Sequence, residues 1–395
     1  MYGCLLKILL TTPFYPPDKG GIANHVLHLA HHLSQNHNVT VLRNNSDCGI
    51  SHARIHKEVK VVSLRSITLP PYPFPTMTSL KLPLSINKIK STIEEEKPDI
   101  IHVHGHHYPL TWLSIFYAKR KRIPTLMTLH GMYALNPYIQ GGRTLVEEVF
   151  NRTLFRKALE NCNSIIGLSQ TLLKYAMQYG PQTAKYYQIP NGVDIDLYNR
   201  NLKNKWRYRK KYNLPFNRII IIFSGRFTHV KGVLEAAYAA KHITKINPEL
   251  FFLFVGDGPL KNHVHTILEG VNNVKIFDWI PVSVIHELYI ASDILILPSK
   301  WEALPITMIE AMAARLFIIA TPVGGMLDVL KDYPLKKLLI GNHSDSIVNA
   351  LKELTRSTTG ITNVNQINDL VEIAIEQYDW IRIIEKLEYV YDSAR

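Results

Sequence analysis

Short runs of consecutive apolar, β-branched and aromatic residues recur along this chain, and stretches of helical periodicity separate them. Runs at 5–12, 38–42, 59–64, 99–104, 125–129, 164–168 and 186–189 occupy the first half, and runs at 218–224, 250–255, 274–277, 293–297 and 317–321 the second. They are nearly continuous rather than alternating. A strand apolar on both sides must be covered on both faces, as in a parallel sheet flanked by helices. Between the first two runs, Ile22, Val26, Leu29, Ala30 and Leu33 form one helical stripe. Further helices are expected at 233–246, 282–292, 306–314, 344–353 and 380–391, the last with Trp380, Ile384, Leu387 and Tyr391 on one face. Strand alternating with helix predicts doubly wound α/β architecture. At 395 residues the chain is too long for one ordinary core, so two such domains are expected. The segment 191–214, polar and basic after Asp196, is the expected connection.

Composition narrows the class without choosing a function. Hydrophobic residues are 46% and charged residues 19%, the balance of a globular protein rather than a disordered or fibrous one. Cys4, Cys48 and Cys162 show no pair spacing and no CxxC, which favours a reducing, cytoplasmic compartment. The apolar start is broken by Lys7 and followed by Pro13, so it is read as a buried first strand rather than a leader. No stretch approaches the roughly 20 apolar residues that span a bilayer. The net charge of +13 attracts polyanions, whether nucleic acid, anionic membrane or phosphorylated ligand. Motifs must choose among them.

Open α/β sheets bind ligands beyond the carboxyl ends of their strands, and three segments there carry chemistry. In 13–21, PFYPPDKGG, Gly20 and Gly21 precede a helix whose N-terminus favours an anion, although GxGxxG is absent. The alternative is an ordinary strand–helix turn. After the strand at 218–224 come Gly225-Arg226 and Lys231-Gly232. Arg226 can grip phosphate oxygens bidentately and Lys231 adds a point charge; the alternative is two solvated cations. Glu302 follows the strand at 293–297, Pro305 fits the first turn of the next helix, and Glu310 lies among Ile306, Ile309, Met312 and Ala313. An unpaired buried carboxylate is costly, so Glu310 is expected to meet a hydrogen-bonding ligand such as a ribose diol. An exposed helix edge is the alternative.

With these residues in view, the chain resembles the retaining GT-B glycosyltransferases of family 4. Glu302 and Glu310 stand eight positions apart, with Gly225-Arg226, Lys231-Gly232 and the Gly324-Gly325 pair of 321–325, TPVGG. The likeness continues in Gly20-Gly21, Pro98-Asp99 with His102 and His104, His130-Gly131, the run 189–194 (IPNGVD), 255–259 (VGDGP) and Asp293. The resemblance implies two Rossmann-like domains facing across a cleft: 1–193 plus a C-terminal helix at 376–395 for the acceptor, and 194–375 for the donor. It implies that Arg226 and Lys231 hold the donor diphosphate, Glu310 the ribose hydroxyls and Glu302 the donor sugar. His130 would approach the transferred sugar, and Gly20-Gly21 and Gly324-Gly325 would border the phosphates. Gly225, Asn191, Gly256, Leu304, Pro305 and Ile306 would complete the donor site, with His104, Tyr15 and Lys19 toward the acceptor. Arg226 and Lys231 would make a divalent ion unnecessary, so neither metal nor cofactor is expected.

The implied reaction moves a hexose-type sugar from a nucleoside diphosphate sugar, such as a UDP-sugar or GDP-mannose, to a glycan or lipid-linked hydroxyl in polysaccharide, lipopolysaccharide or glycolipid biosynthesis. The alternatives are a sugar-nucleotide epimerase on the same fold and a catalytically silent glycan- or nucleotide-binding module. Ala303-Leu304-Pro305 replaces the family's usual Gly-Phe-Gly, Asp278 a common Gly, and His25 a position often acidic. His102, His104 and His106 alternate, but no carboxylate or cysteine nearby completes a metal site. The basic, aromatic run 203–212 is read as a solvated connecting helix, and no nucleic-acid partner is expected. Residues 72–93, with Lys81, Lys88 and Lys90, and the basic turn 119–122 are the expected places for peripheral contact with anionic lipid at the cytoplasmic face; the alternative is a mobile acceptor loop and a solvated turn.

Overall fold

The computed structural model describes residues 5–18, 20–45, 52–53, 59–69, 80–131, 142–278, 280–356 and 368–395. Two compact units emerge: Met1–Asn191 with Trp380–Arg395, and Gly192–Asp379. The sequence suggested divisions after 193 and before 376. The shift arises because Val193 N–H donates to the Tyr378 carbonyl (2.8 Å), tying both strands of the crossing into the second unit.

In the first unit the strands are β1 (Lys7–Thr12), β2 (Asn38–Asn45), β3 (His52–Ala53), β4 (Lys60–Leu69), β5 (Leu80–Pro83), β6 (Ile100–His104), β7 (Thr125–Leu129), β8 (Ser164–Gly167) and β9 (Lys185–Gln188). They form one sheet in the order β3-β4-β2-β1-β6-β7-β8-β9, with β5 also on β4. Every pairing is parallel except those of β3 and β5 with β4. These short additions carry no apolar run long enough to announce them, and they make the sheet mixed at one edge. The strand order reverses between β1 and β6. The expected helical stripe buries Val26, Leu29, Ala30 and Leu33 in the helix Gly21–Leu33. It packs in one cluster with Ile8, Leu10, Ile100 and the final helix, Trp380–Ala394, through Trp380, Ile383, Leu387 and Tyr391. Each such side chain contributes about 1.5–3 kcal/mol on burial, so the chain's last helix is part of the first unit's core.

The second unit holds β10 (Ile219–Ser224), β11 (Leu250–Val255), β12 (Val274–Phe277), β13 (Ile294–Leu297), β14 (Phe317–Ala320) and β15 (Lys336–Leu338). Their order is β12-β11-β10-β13-β14-β15, parallel throughout. Here the reversal falls between β10 and β13. Ile221, Phe223, Phe252, Phe254, Ile294 and Ile319 join Ala236 and Ala240 of the helix Val233–Ile246 in its core. Small residues on that helix let it lie close to the sheet.

The expected solvated connection is instead an integral part of this unit. The helix Lys205–Lys211 buries Tyr208 and Arg209, while Trp206 is exposed. Arg209 is 2% exposed; it donates to the carbonyls of Ala291 (2.9 Å) and Arg218 (3.0 Å) and pairs with Asp293 (2.6 Å). A guanidinium with five donors in a fixed fork can serve several carbonyls at once, which composition alone does not reveal. Among the described residues no helix is long and apolar enough to cross a membrane.

Candidate active site

In the second unit the chemistry-bearing loops meet at the point where the strand order reverses, the place where open α/β sheets form ligand crevices. Gly225, just past β10, donates its N–H to the Val255 carbonyl (3.0 Å). A Cβ on Gly256 would lie 1.9 Å from the Gly225 carbonyl oxygen, so this approach of two loops requires a glycine. Arg226 follows with an exposed side chain and, among the described residues, no ion pair. The next turn, His229–Lys231, is joined to the loop after β13 by a Lys300 N–H···O=C Val230 bond (2.8 Å).

Glu302 is the hub of that loop. It is 6% exposed, accepts from Ser299 Oγ (2.9 Å), and forms an ion pair with Lys231. The loop after β14 closes onto its backbone: Gly324, at φ 54°, would place a Cβ 1.7 Å from the Glu302 carbonyl oxygen, and Gly325 N–H donates to the same oxygen (3.3 Å). Lys231, Glu302, Gly324 and Gly325 therefore come together as the sequence suggested. Not expected was that Lys231 and Glu302 pair with and neutralise each other.

Leu304 and Pro305 are buried and Ile306 half-buried. Pro305 is the residue immediately before the helix Ile306–Ala313 rather than inside its first turn. Glu310 lies on that helix and is half-buried, not enclosed. Burial pushes its carboxyl up to about 7, opposed in part by the Tyr289 hydroxyl. Tyr289 is fully buried, and its hydroxyl sits near both Glu310 and Ser224 at the end of β10 without meeting regular hydrogen-bond geometry to either. Glu310 thus faces the root of the Gly225-Arg226 loop with no cation paired to it among the described residues. Tyr289 escaped the sequence reading because an aromatic in an apolar helical run reads as core.

The first unit has its own reversal point, between the ends of β1 and β6. Gly20 and Gly21 open the helix there, each with free space where a side chain would be. Lys19 lies outside the described residues. Tyr15 is 0% exposed, and burial pushes its phenol up to about 12 against the opposing Arg43 charge. It is therefore a core residue rather than a surface acceptor contact. His104 is likewise 0% exposed; its Nδ1 lies 3.0 Å from Nε2 of the half-buried His130. It stands behind His130 instead of facing an acceptor. His102 continues inward to Thr128 Oγ1 (2.7 Å) and Tyr391 Oη (2.9 Å). Asn191 is buried against His25 within this unit.

Burial lowers His25 to about 4 and His102 to about 3, and holds His104 and His130 well below the usual imidazole range. All four are neutral near pH 7. The expected single face of His102, His104 and His106 does not form. β6 stops at His104, Gly105 turns the chain at φ 80°, and His106 and His107 pack on Phe155 (4.6 Å between centroids) and Phe150 (5.3 Å). The histidines that do converge are His25, His104 and His130, from one helix and two strand ends, which no local spacing could announce.

The basic segments divide. Lys81 is 5% exposed and paired with Asp18 (2.6 Å), so it is unavailable to lipid. Lys88 and Lys90 are half-buried on the helix Ile86–Glu96, and residues 70–79 lie outside the described ones. Lys119, Arg120, Lys121 and Arg122 are exposed at a helix C-terminus.

Comparison with known proteins agrees with this geometry. Residues 19–197 match the family model described as Glycosyltransferase Family 4, and residues 204–377 match Glycosyl transferases group 1. The chain is 23% identical over 98% of its length, and 82% of the relative's, to a phosphatidylinositol N-acetylglucosaminyltransferase component of Arabidopsis thaliana. It is 25% identical over 78% of both chains to the UDP-Gal:alpha-D-GlcNAc-diphosphoundecaprenol alpha-1,3-galactosyltransferase of Escherichia coli. A 27% match to the putative teichuronic acid biosynthesis glycosyltransferase TuaC of Bacillus subtilis covers 58% of this chain and only 54% of that protein. Among solved structures, a sucrose-phosphate synthase from Thermosynechococcus elongatus superposes with TM-score 0.77 over 98% of both chains at 18% identity. Anabaena Alr3699/HepE in complex with UDP and glucose does so with TM-score 0.72, over 98% of this chain and 100% of that one, also at 18%. With both halves matched in order and two parallel-sheet units of this topology, the chain belongs to glycosyltransferase family 4 and is a glycosyltransferase of the GT-B fold.

Proposed function

We propose that this enzyme transfers a hexose-type sugar, with retention and without a metal, from a nucleoside diphosphate sugar to a hydroxyl of a glycan or lipid-linked acceptor. The observation that carries the reading is the gathering of Lys231, Glu302, Gly324 and Gly325 beside Gly225-Arg226 at the reversal point of the second sheet. Cleavage of a sugar–diphosphate bond puts positive character on the sugar and negative charge on the leaving group. Arg226 and Lys231 stabilise that leaving charge more in the transition state than in the ground state. A bound diphosphate shares Lys231 with Glu302 and frees one carboxylate oxygen for the sugar hydroxyls. Glu310 accepts from the ribose hydroxyls and His130 from the transferred sugar. Arg226 and Lys231 thus act as fixed charges and Glu302, Glu310 and His130 as hydrogen-bond acceptors, and none is assigned as a covalent nucleophile.

A UDP-sugar is the proposed donor class, supported by the UDP held in the Anabaena structure and by the UDP-Gal of the E. coli relative's name. The names of the plant and E. coli relatives favour a phosphatidyl- or diphosphoprenyl-linked acceptor. Cytoplasmic location with peripheral membrane contact fits that acceptor and the exposed basic turn 119–122. UDP-, GDP- and ADP-sugars should be screened by thermal shift. A donor at a hundred times its Kd stabilises by about 2.7 kcal/mol, and Arg226→Ala should abolish the UDP-sugar shift. Product analysis with and without acceptor then separates transfer from epimerisation. Equal shifts in wild type and Arg226→Ala would refute the assignment.

A further inference from the structure

We infer that His25, His104 and His130 form a binding site for one borderline divalent cation of the zinc type, and that its occupancy inhibits the transferase. Each residue offers a ring nitrogen, and the three nitrogens lie within 4.8 Å of one another. Ring centroids are separated by 5.6 Å (His25–His104), 4.8 Å (His25–His130) and 5.2 Å (His104–His130). A zinc–imidazole bond of about 2.0–2.1 Å plus about 1.1 Å to the ring centre puts each centroid about 3.2 Å from the metal. Tetrahedral angles then separate the centroids by about 5.2 Å, the mean of what is found. Likewise the 3.0 Å between His104 Nδ1 and His130 Nε2 is near the roughly 3.3 Å between two nitrogens on one tetrahedral ion.

Coordination uses the neutral imidazole, whose lone pair binds the ion. His25 Nδ1 has no hydrogen-bond partner, whereas His104 Nδ1 and His130 Nε2 share a hydrogen bond at 3.0 Å, whose proton a bound cation would displace. Imidazole suits zinc, copper, cobalt and nickel and does not suit magnesium or calcium. Among the described residues no carboxylate or thiolate joins the three, which leaves a fourth position open.

A coordinated His130 has its lone pair committed and its ring clamped to His25 and His104. It can then neither accept from the transferred sugar nor adjust to it. This inhibitory half rests on the proposed role of His130, whereas the binding half does not. The chelator-treated full chain should be titrated with Co(II) and followed by visible absorption. One equivalent should produce the d–d band of a four-coordinate site. His25→Asn and His104→Asn, each checked by melting, should weaken it more than about tenfold. The His28→Gln/His32→Gln double variant, which removes two other histidines of the same helix, both stacked on Trp380, should retain it. No band at one equivalent, or a band that survives His25→Asn and vanishes in the double variant, would overturn the site. Zn(II) should inhibit sugar transfer reversibly by chelator. Binding without inhibition would overturn the inhibitory role and the part given to His130, whereas absence of binding overturns the metal site and leaves the transfer reading standing.

Discussion

On the proposed reading, Glu310 couples stability, pH and ligand at one side chain. Its folded carboxyl keeps a proton up to about pH 7, whereas an unfolded one loses it near the ordinary value of 4.5. Between these values the folded state binds more protons, so this stabilisation is full below the lower value and lost as pH rises through about 7. Glu310→Gln stays neutral and should melt above wild type on the alkaline side only, by at most a few degrees. Donor binding runs the opposite way, because the ionised carboxylate is the better acceptor for two hydroxyls. UDP-sugar affinity should fall by up to about tenfold per pH unit below 7 in wild type and be flat with pH in Glu310→Gln. A flat wild-type profile measured by calorimetry would remove Glu310 from the donor site. At Lys231 the expected signature differs. Lys231→Ala should cost roughly 100-fold or more in kcat, since it loses leaving-group stabilisation and leaves Glu302 unpaired.

At the scale of elements, the loops after β10, β13 and β14 are held by contacts that tolerate no side chain. Gly324→Ala places a methyl against the Glu302 carbonyl, and one loop must move. Such strain costs about 1–3 kcal/mol, and the displaced Glu302 should lower kcat while far-UV circular dichroism stays native. Unchanged turnover would mean that the β14 loop does not set Glu302. The helix Lys205–Lys211 illustrates the opposite case, a basic segment whose charge is spent on architecture. Arg209→Ala leaves Asp293 short of a partner and several carbonyls exposed to a void. A loss of about 3–5 kcal/mol is expected by denaturant unfolding, with no direct effect on donor contacts.

At the scale of the whole molecule, the first unit closes only with the final helix of the chain, Trp380–Ala394. Tyr391 reaches His102, and Trp380 stacks near His28 and His32. Removing residues 380–395 should expose Ile8, Leu10 and Val26 and unfold the first unit. The loss of its melting transition, rather than a change in KM, is the readout.

Much of this was legible in the chain itself. Continuous apolar runs announced buried parallel strands because they are too short for a buried helix, motifs tied to a strand's end singled out Gly225, Lys231, Glu302 and Gly324, and an apolar stripe marked the final helix. Short edge strands such as β3, β5 and β15 lacked that signal. What the sequence could not decide were relations between distant residues: the ion pair of Lys231 with Glu302, the burial of Tyr15 and His104, the conversion of Arg209 from surface charge to pillar, and the triangle of His25, His104 and His130. Local periodicity reports which face of an element is apolar. Which side chains share a buried space depends on how separate elements pack, and only tertiary structure determines that.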